Sequence, residues 1–169
     1  MLSNPPLEVG LSLGSNLGDR MRHLDEAISR VSGLSCLDGV ECSPAYETAP
    51  VDVPAEFDHL WFLNLVIVAQ CRIGPDILLP HLNEIETSMG RTRAARGNAP
   101  RTIDIDIIYA GGIVIHTDEL TVPHPRWSER LFVVKPLNDL RPDLVVPGAS
   151  MPVGEILAAL PGRDAPARV

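Results

Sequence analysis

A chain of 169 residues that is 45% hydrophobic and 21% charged is long enough for one domain with a real core, and too ordinary in composition for a disordered or fibrous protein. Its 22 acidic against 14 basic residues give a formal net charge of −8, which argues against non-specific binding to nucleic acid or an anionic membrane. Cys36, Cys42 and Cys71 form no C-x-x-C and read as buried thiols of a reducing compartment. No apolar run reaches the roughly 18 residues of a membrane span. Met1–Pro6 lacks the basic start and apolar core of a signal peptide. The expectation is one cytoplasmic domain over residues 1–169, its core at about 7–160, monomeric and without nucleic-acid or membrane partners.

Leu7–Leu13 is short and apolar-rich, a first strand. Gly14-Ser15-Asn16-Leu17-Gly18 follows as a turn that brings backbone close to something. It lacks the Gly-Lys-Ser/Thr of a phosphate loop and is weak as a nucleotide signal. Asp19 can cap a helix that carries Leu24, Ala27, Ile28 and Val31 at helical spacing and stops at Gly33. Leu34–Ala49 reads as a long, irregular strand region. Phe62–Ala69 is almost continuously apolar, a central strand covered on both faces, with Asn64 as its polar exception. A buried amide must find partners or read a ligand edge.

Pro75 opens a second helix, although Pro80 inside its pattern argues for a kink or a later start. After the helix stops at Gly90, the stretch Arg91–Arg101 is a polar loop with Arg91, Arg93, Arg96 and Arg101. Thr102–Ile107 then alternates: Ile103, Ile105 and Ile107 on one face, Asp104 and Asp106 on the other. Strand residues two apart lie roughly 6.5–7 Å apart and point the same way. Two such carboxylates plus substrate phosphates are a common way to hold Mg²⁺, and the arginines before them suit a polyphosphate. The bland alternative is an exposed strand face beside a solvated loop.

Beyond the Gly111-Gly112 turn, Ile113–Ile115 is expected to pair back as a hairpin. His124 lies between two prolines in an exposed loop; it is either a stray surface histidine or a phosphate contact. A third helix is expected over Glu129–Leu140, a short closing helix over Val153–Leu160, and a frayed tail after Pro161. The order βαββαβ plus a C-terminal extension predicts an α+β, ferredoxin-like sandwich with helices on one face of an antiparallel sheet.

Taken together, six segments resemble the 6-hydroxymethyl-7,8-dihydropterin pyrophosphokinase family. They are Leu13–Gly18, Tyr46–Pro50, Phe62–Asn64, Glu86 with Gly90-Arg91-x-Arg93, Ala99–Ile107, and Val122–Arg126 with Glu129-Arg130-x-Phe132. The resemblance implies Mg²⁺-dependent transfer of the pyrophosphoryl group of ATP to the hydroxymethyl group of the dihydropterin, releasing AMP, as a step of folate synthesis. It assigns two Mg²⁺ ions to Asp104 and Asp106, and catalytic roles to these two with Arg91, Arg93 and Arg101. Asn83, Glu86, Arg93, Arg101, Ile107, Thr121, His124 and Arg130 would serve ATP. The pterin would stack between Phe62 and Phe132, near Gly14 and Asp104, with Asn64 and the backbone of Thr48, Ala49 and Val51 reading its edge. The chain departs from the common pattern at Gly97, Asn98 and Glu119, which bears on loop closure and ATP affinity.

Two other classes compete. A ferredoxin-like module could bind a nucleotide or pterin without chemistry, although such a binder has no need of two adjacent carboxylates. A two-metal nucleotidyltransferase would release pyrophosphate instead of AMP.

Overall fold

The computed structural model of the chain describes residues 5–91, 99–162 and 167–169. β1 (Leu7–Ser15) leads into α1 (Arg20–Ser32), capped by Asp19, whose carboxylate accepts from the Arg22 N–H at 3.1 Å. The irregular region resolves into β2 (Leu37–Cys42) and β3 (Tyr46–Thr48), both antiparallel to β4 (Phe62–Cys71). Between them the ladder breaks at Pro44, which has no N–H to give. Ser43 spans the gap: its N–H donates to Val66 O, and its hydroxyl accepts from the Val66 N–H, both at 2.9 Å.

α2 (Pro75–Ser88) is one helix with Pro80 inside it, so the later start does not occur. β5 (Asp104–Ala110) pairs with the far side of β1. The sheet order is therefore β5-β1-β4, with β2 and β3 sharing the next place and β8 (Ala167–Arg168) on the outer edge. All the pairings are antiparallel, the order of a ferredoxin-like sandwich. The tail that the sequence suggested would fray ends as β8, paired with Tyr46 and Glu47.

Three further expectations are corrected. The segment after Gly112 does not return to the Asp strand. Instead β6 (Ile115–His116) pairs with β7 (Thr121–Val122) in a separate ribbon. The edge of β5 is already engaged, because the His124 N–H donates to Ile108 O at 2.8 Å. The third helix, α3 (Leu131–Leu140), starts later than Glu129, after a 3₁₀ turn over Trp127–Glu129. Of the cysteines only Cys71 is buried; Cys42 is exposed and Cys36 lies between.

The helices do not keep to one face. α1 and α2 cover one side of the sheet through Leu24, Val31, Leu78 and Leu82, packed on Leu11, Leu65, Ile105 and Ile107. α3 and α4 (Val153–Ala159) cover part of the opposite side, where Val134, Leu137 and Val153 pack on Val66, Val68, Ile108 and Tyr109. This explains why β4 reads as apolar on both faces. The second layer stops short of the other end of the sheet, and the polar residues of the strands gather there. No helix of the described residues is long and apolar enough to cross a membrane.

Candidate active site

Where the second layer ends, a cavity of about 260 Å³ opens on the sheet. Strand alternation decides what faces it. β1 contributes Ser12 and Gly14, β4 contributes Phe62 and Asn64, and β5 contributes Asp104 and Asp106. Their neighbours in sequence, Leu13, Leu63 and Ile105, point into the core on the other side. The loop after β3 adds Thr48, Ala49 and Val51. Arg91, Arg101, His124, Arg130 and Phe132 complete the walls expected from the sequence.

The carboxylates sit in unlike surroundings. Asp104 is held twice: Arg91 Nη1 donates to Oδ1 at 2.7 Å, and Arg101 Nη1 donates to Oδ2 at 3.0 Å. Asp106 takes no hydrogen bond or ion pair among the described residues. Burial, and after it the neighbouring Asp104 charge, push its pKa up to about 6, against the pull of Arg130, Arg91 and Arg101. An unpaired carboxylate beside a paired one, both aimed into a cavity, is a donor set that suits a hard cation. Among the described residues no group of three or more acidic, histidine or cysteine side chains converges, at this site or elsewhere. A cation here would therefore draw its remaining ligands from a substrate.

Glu86 is placed differently from its expected role. It is 4% exposed and does not line the cavity. Its Oε1 accepts from the Ile105 N–H at 2.6 Å and from the Arg91 guanidinium, so it ties α2 to the start of β5 and aims Arg91. Burial dominates its pKa, pushed up to about 7 in spite of these donors. Asn83, Ile107 and Thr121 also lie outside the cavity walls: Asn83 half-buried on α2, Ile107 in the core, Thr121 in the β6–β7 ribbon. Arg93, Arg96, Gly97 and Asn98 fall outside the described residues.

His124 is half-buried, not the exposed histidine of the sequence reading. Burial, then Arg130 and Arg126, lower its pKa. It is therefore neutral at pH 7, and its Nδ1 accepts from the Arg126 N–H at 3.1 Å. Its Nε2 lies 3.4 Å from Arg130 Nη1, so the ring and the guanidinium meet at the cavity wall. Arg130 lies 5.6 Å from the centre of the Phe132 ring, fixing both.

On the opposite side, Asn64 Nδ2 donates to Thr48 Oγ1 at 2.7 Å. The amide is thus oriented by protein, and its Oδ1 faces Gly14. A Cβ at Gly14 would sit 2.8 Å from that oxygen, so only glycine fits. Sequence reading missed four wall residues: Ser12, Asp52, Val53 and Arg126. Asp52 and Arg126 pair across the mouth at 3.1 Å, a contact between loops far apart in sequence that no local pattern announces.

Comparison with known proteins gives a consistent set of likenesses. Residues 10–142 match the family model of 7,8-dihydro-6-hydroxymethylpterin-pyrophosphokinase. The chain is 38% identical over 130 residues to the Bacillus subtilis 2-amino-4-hydroxy-6-hydroxymethyldihydropteridine pyrophosphokinase, covering 77% of this chain and 75% of that protein. It is 44% identical over 135 residues to the mitochondrial folate synthesis bifunctional protein of Pisum sativum, covering 79% of this chain. A Schizosaccharomyces pombe folic acid synthesis protein is 37% identical over 90% of this chain. The chain spans only 25% and 20% of the length of these last two relatives. Among solved structures, wild-type Plasmodium falciparum HPPK-DHPS superposes with a TM-score of 0.72 at 16% identity, over 94% of this chain and 44% of that one. At that identity the likeness speaks for the fold.

Proposed function

Because the chain belongs to the 7,8-dihydro-6-hydroxymethylpterin-pyrophosphokinase family, we propose that it transfers the β,γ-pyrophosphoryl group of ATP to 6-hydroxymethyl-7,8-dihydropterin, giving the pterin diphosphate and AMP. The observation that carries this reading is the pair of unlike carboxylates, Asp104 and Asp106, facing a cavity that Phe62, Asn64 and Phe132 also line. A flat heterocycle suits the space between two aromatic rings. A polyphosphate suits the arginine side.

Asp104 and Asp106 would hold Mg²⁺, two ions by the family pattern, and bound Mg²⁺ neutralises phosphate oxygens as charge develops on them. The new bond runs from the hydroxymethyl oxygen to Pβ; the bond that breaks joins Pβ to the oxygen that leaves with AMP, and the hydroxyl proton is released to solvent. Arg91 and Arg101 leave Asp104 to share the triphosphate with Arg93. The His124 ring and the guanidinium of Arg130 meet phosphate oxygens that gain charge. Phe62 and Phe132 clamp the pterin. Asn64 Oδ1 accepts from its edge, as do the main-chain groups of Thr48, Ala49 and Val51. Asn83, Ile107 and Thr121 are assigned to the nucleotide by the family pattern. Glu86 acts one step back, through Arg91. Transfer of this kind asks the protein for alignment and charge more than for covalent chemistry.

The test is AMP formation from ATP, Mg²⁺ and the dihydropterin, in wild type and in Asp104→Ala and Asp106→Ala. Wild type should release AMP. Each variant should lose at least about a thousandfold in kcat while keeping its far-ultraviolet circular dichroism. Near-full activity in either variant would remove the metal assignment. Pterin and ATP-analogue binding without any AMP would favour the non-catalytic module.

A further inference from the structure

The turn Gly14–Gly18 contributes only Gly14 to the cavity, yet its next polar residue but one is bound to the cavity wall. Asn16 is 3% exposed. Its Oδ1 accepts from the Arg101 N–H at 2.9 Å, and its own N–H donates to Arg101 O at 3.3 Å. The regular β1–β5 ladder stops one step earlier, at Gly14 and Asp104. Past that point the side-chain Oδ1 of Asn16 stands in for a backbone carbonyl toward the Arg101 N–H, while the main-chain N–H of Asn16 bonds the Arg101 carbonyl. Its Nδ2 is buried without a partner among the described residues, so the known polar contacts of this side chain are spent on Arg101.

Arg101 in turn places Nη1 3.0 Å from Asp104 Oδ2 at the cavity wall. The other stem of the arginine segment is fixed separately. Glu86 holds Arg91, and the Thr102 hydroxyl donates to Met89 O at 2.8 Å. Asn16 is thus the tie between the Arg101 main chain and the sheet.

We propose that Asn16 is a positioning residue of the transfer reaction: by bonding the Arg101 main chain in both directions it holds that guanidinium where Asp104 and the triphosphate meet. The proposal rests on the function argued above. It explains why an amide follows the strand at a place where a solvated turn needs none.

A double-mutant cycle tests it, with wild type, Asn16→Ala, Arg101→Ala and the double variant. Asn16→Ala should lower kcat about tenfold or more and raise the KM for ATP, with the KM for the pterin within about twofold of wild type. In the Arg101→Ala background the same change should cost less than about twofold. Independent, multiplying losses would overturn the proposal. So would a near-wild-type Asn16→Ala, or a pterin KM that moves together with kcat and Tm. Should Asn16→Ala not fold, Asn16→Ser carries the same cycle. If wild type itself forms no AMP, the functional reading fails, but the tie is still decided by calorimetry. A non-hydrolysable ATP analogue with Mg²⁺ should bind at least fivefold more weakly to Asn16→Ala, and the difference should vanish without the Arg101 side chain. Equal binding to Asn16→Ala and wild type would sink it.

Discussion

Asp106 and Glu86 are carboxyl groups whose folded pKa values, about 6 and about 7, lie above the ordinary carboxylate range because burial disfavours their charged forms. The folded protein therefore holds protons that the unfolded chain would release. Between about pH 4 and pH 7 the unfolded state binds fewer protons, so stability falls as pH rises through that window. The whole penalty is present only above about pH 8, a unit past the Glu86 value. Asp106→Asn keeps the shape and removes the charge. We expect the metal-free variant to be more stable than wild type at pH 7.5, by roughly 1–2 kcal/mol after allowance for partial exposure, and its stability to vary less between pH 4 and pH 7. Thermal melts over that range read both. A variant less stable than wild type at pH 7.5 would contradict the account. The same logic gives the ligand-free protein a Mg²⁺ affinity that rises with pH through about 6, since the ligand must be deprotonated.

Element by element, the Asp strand was legible because its alternation is strict and its two faces differ in kind: Ile103, Ile105 and Ile107 against Asp104 and Asp106. The ribbon of β6 and β7 was not. Its partner choice is set by the His124 N–H taking the edge carbonyl of Ile108, a contact across sixteen residues. Glu86 was singled out only by the resemblance, since helical spacing does not say that a carboxylate turns inward to bind the start of a strand. Asp52 carried no pattern, and Arg126 stood in the Val122–Arg126 segment of the resemblance with no role attached to it. One glycine makes a separate prediction. A Cβ at Gly10 would lie 2.3 Å from Cε1 of Tyr109, a ring buried under α3 whose hydroxyl is bound to Glu8 at 2.6 Å. Gly10→Ala should cost about 1–3 kcal/mol, read as a Tm lower by several degrees. The KM values should not change, because Gly10 is not a wall of the cavity.

For the molecule as a whole, the site exists because two helical layers of unequal extent cover one sheet. α1 and α2 cover their face along β1, β4 and β5. α3 and α4 stop over Val66 and Ile108, leaving Asn64, Phe62 and the carboxylates beyond them in reach of solvent. We propose that this arrangement is complete within about residues 7–160, as the composition suggested. β8 adds two residues to the outer edge beside Tyr46 and Glu47. A chain ended at Gly162 should keep kcat within about threefold, checked by steady-state AMP release. A loss beyond tenfold would place the tail inside the working unit.

The central claim is that Asp104 and Asp106 direct a pyrophosphoryl transfer from ATP to a stacked pterin. Turnover with ATP labelled at the β-phosphorus measures it most directly. The label should leave entirely in the pterin diphosphate, one AMP appearing for each pterin consumed, and Asp106→Ala should abolish both. Label retained in ADP, or released as inorganic pyrophosphate with the nucleotide joined to the pterin, would contradict it.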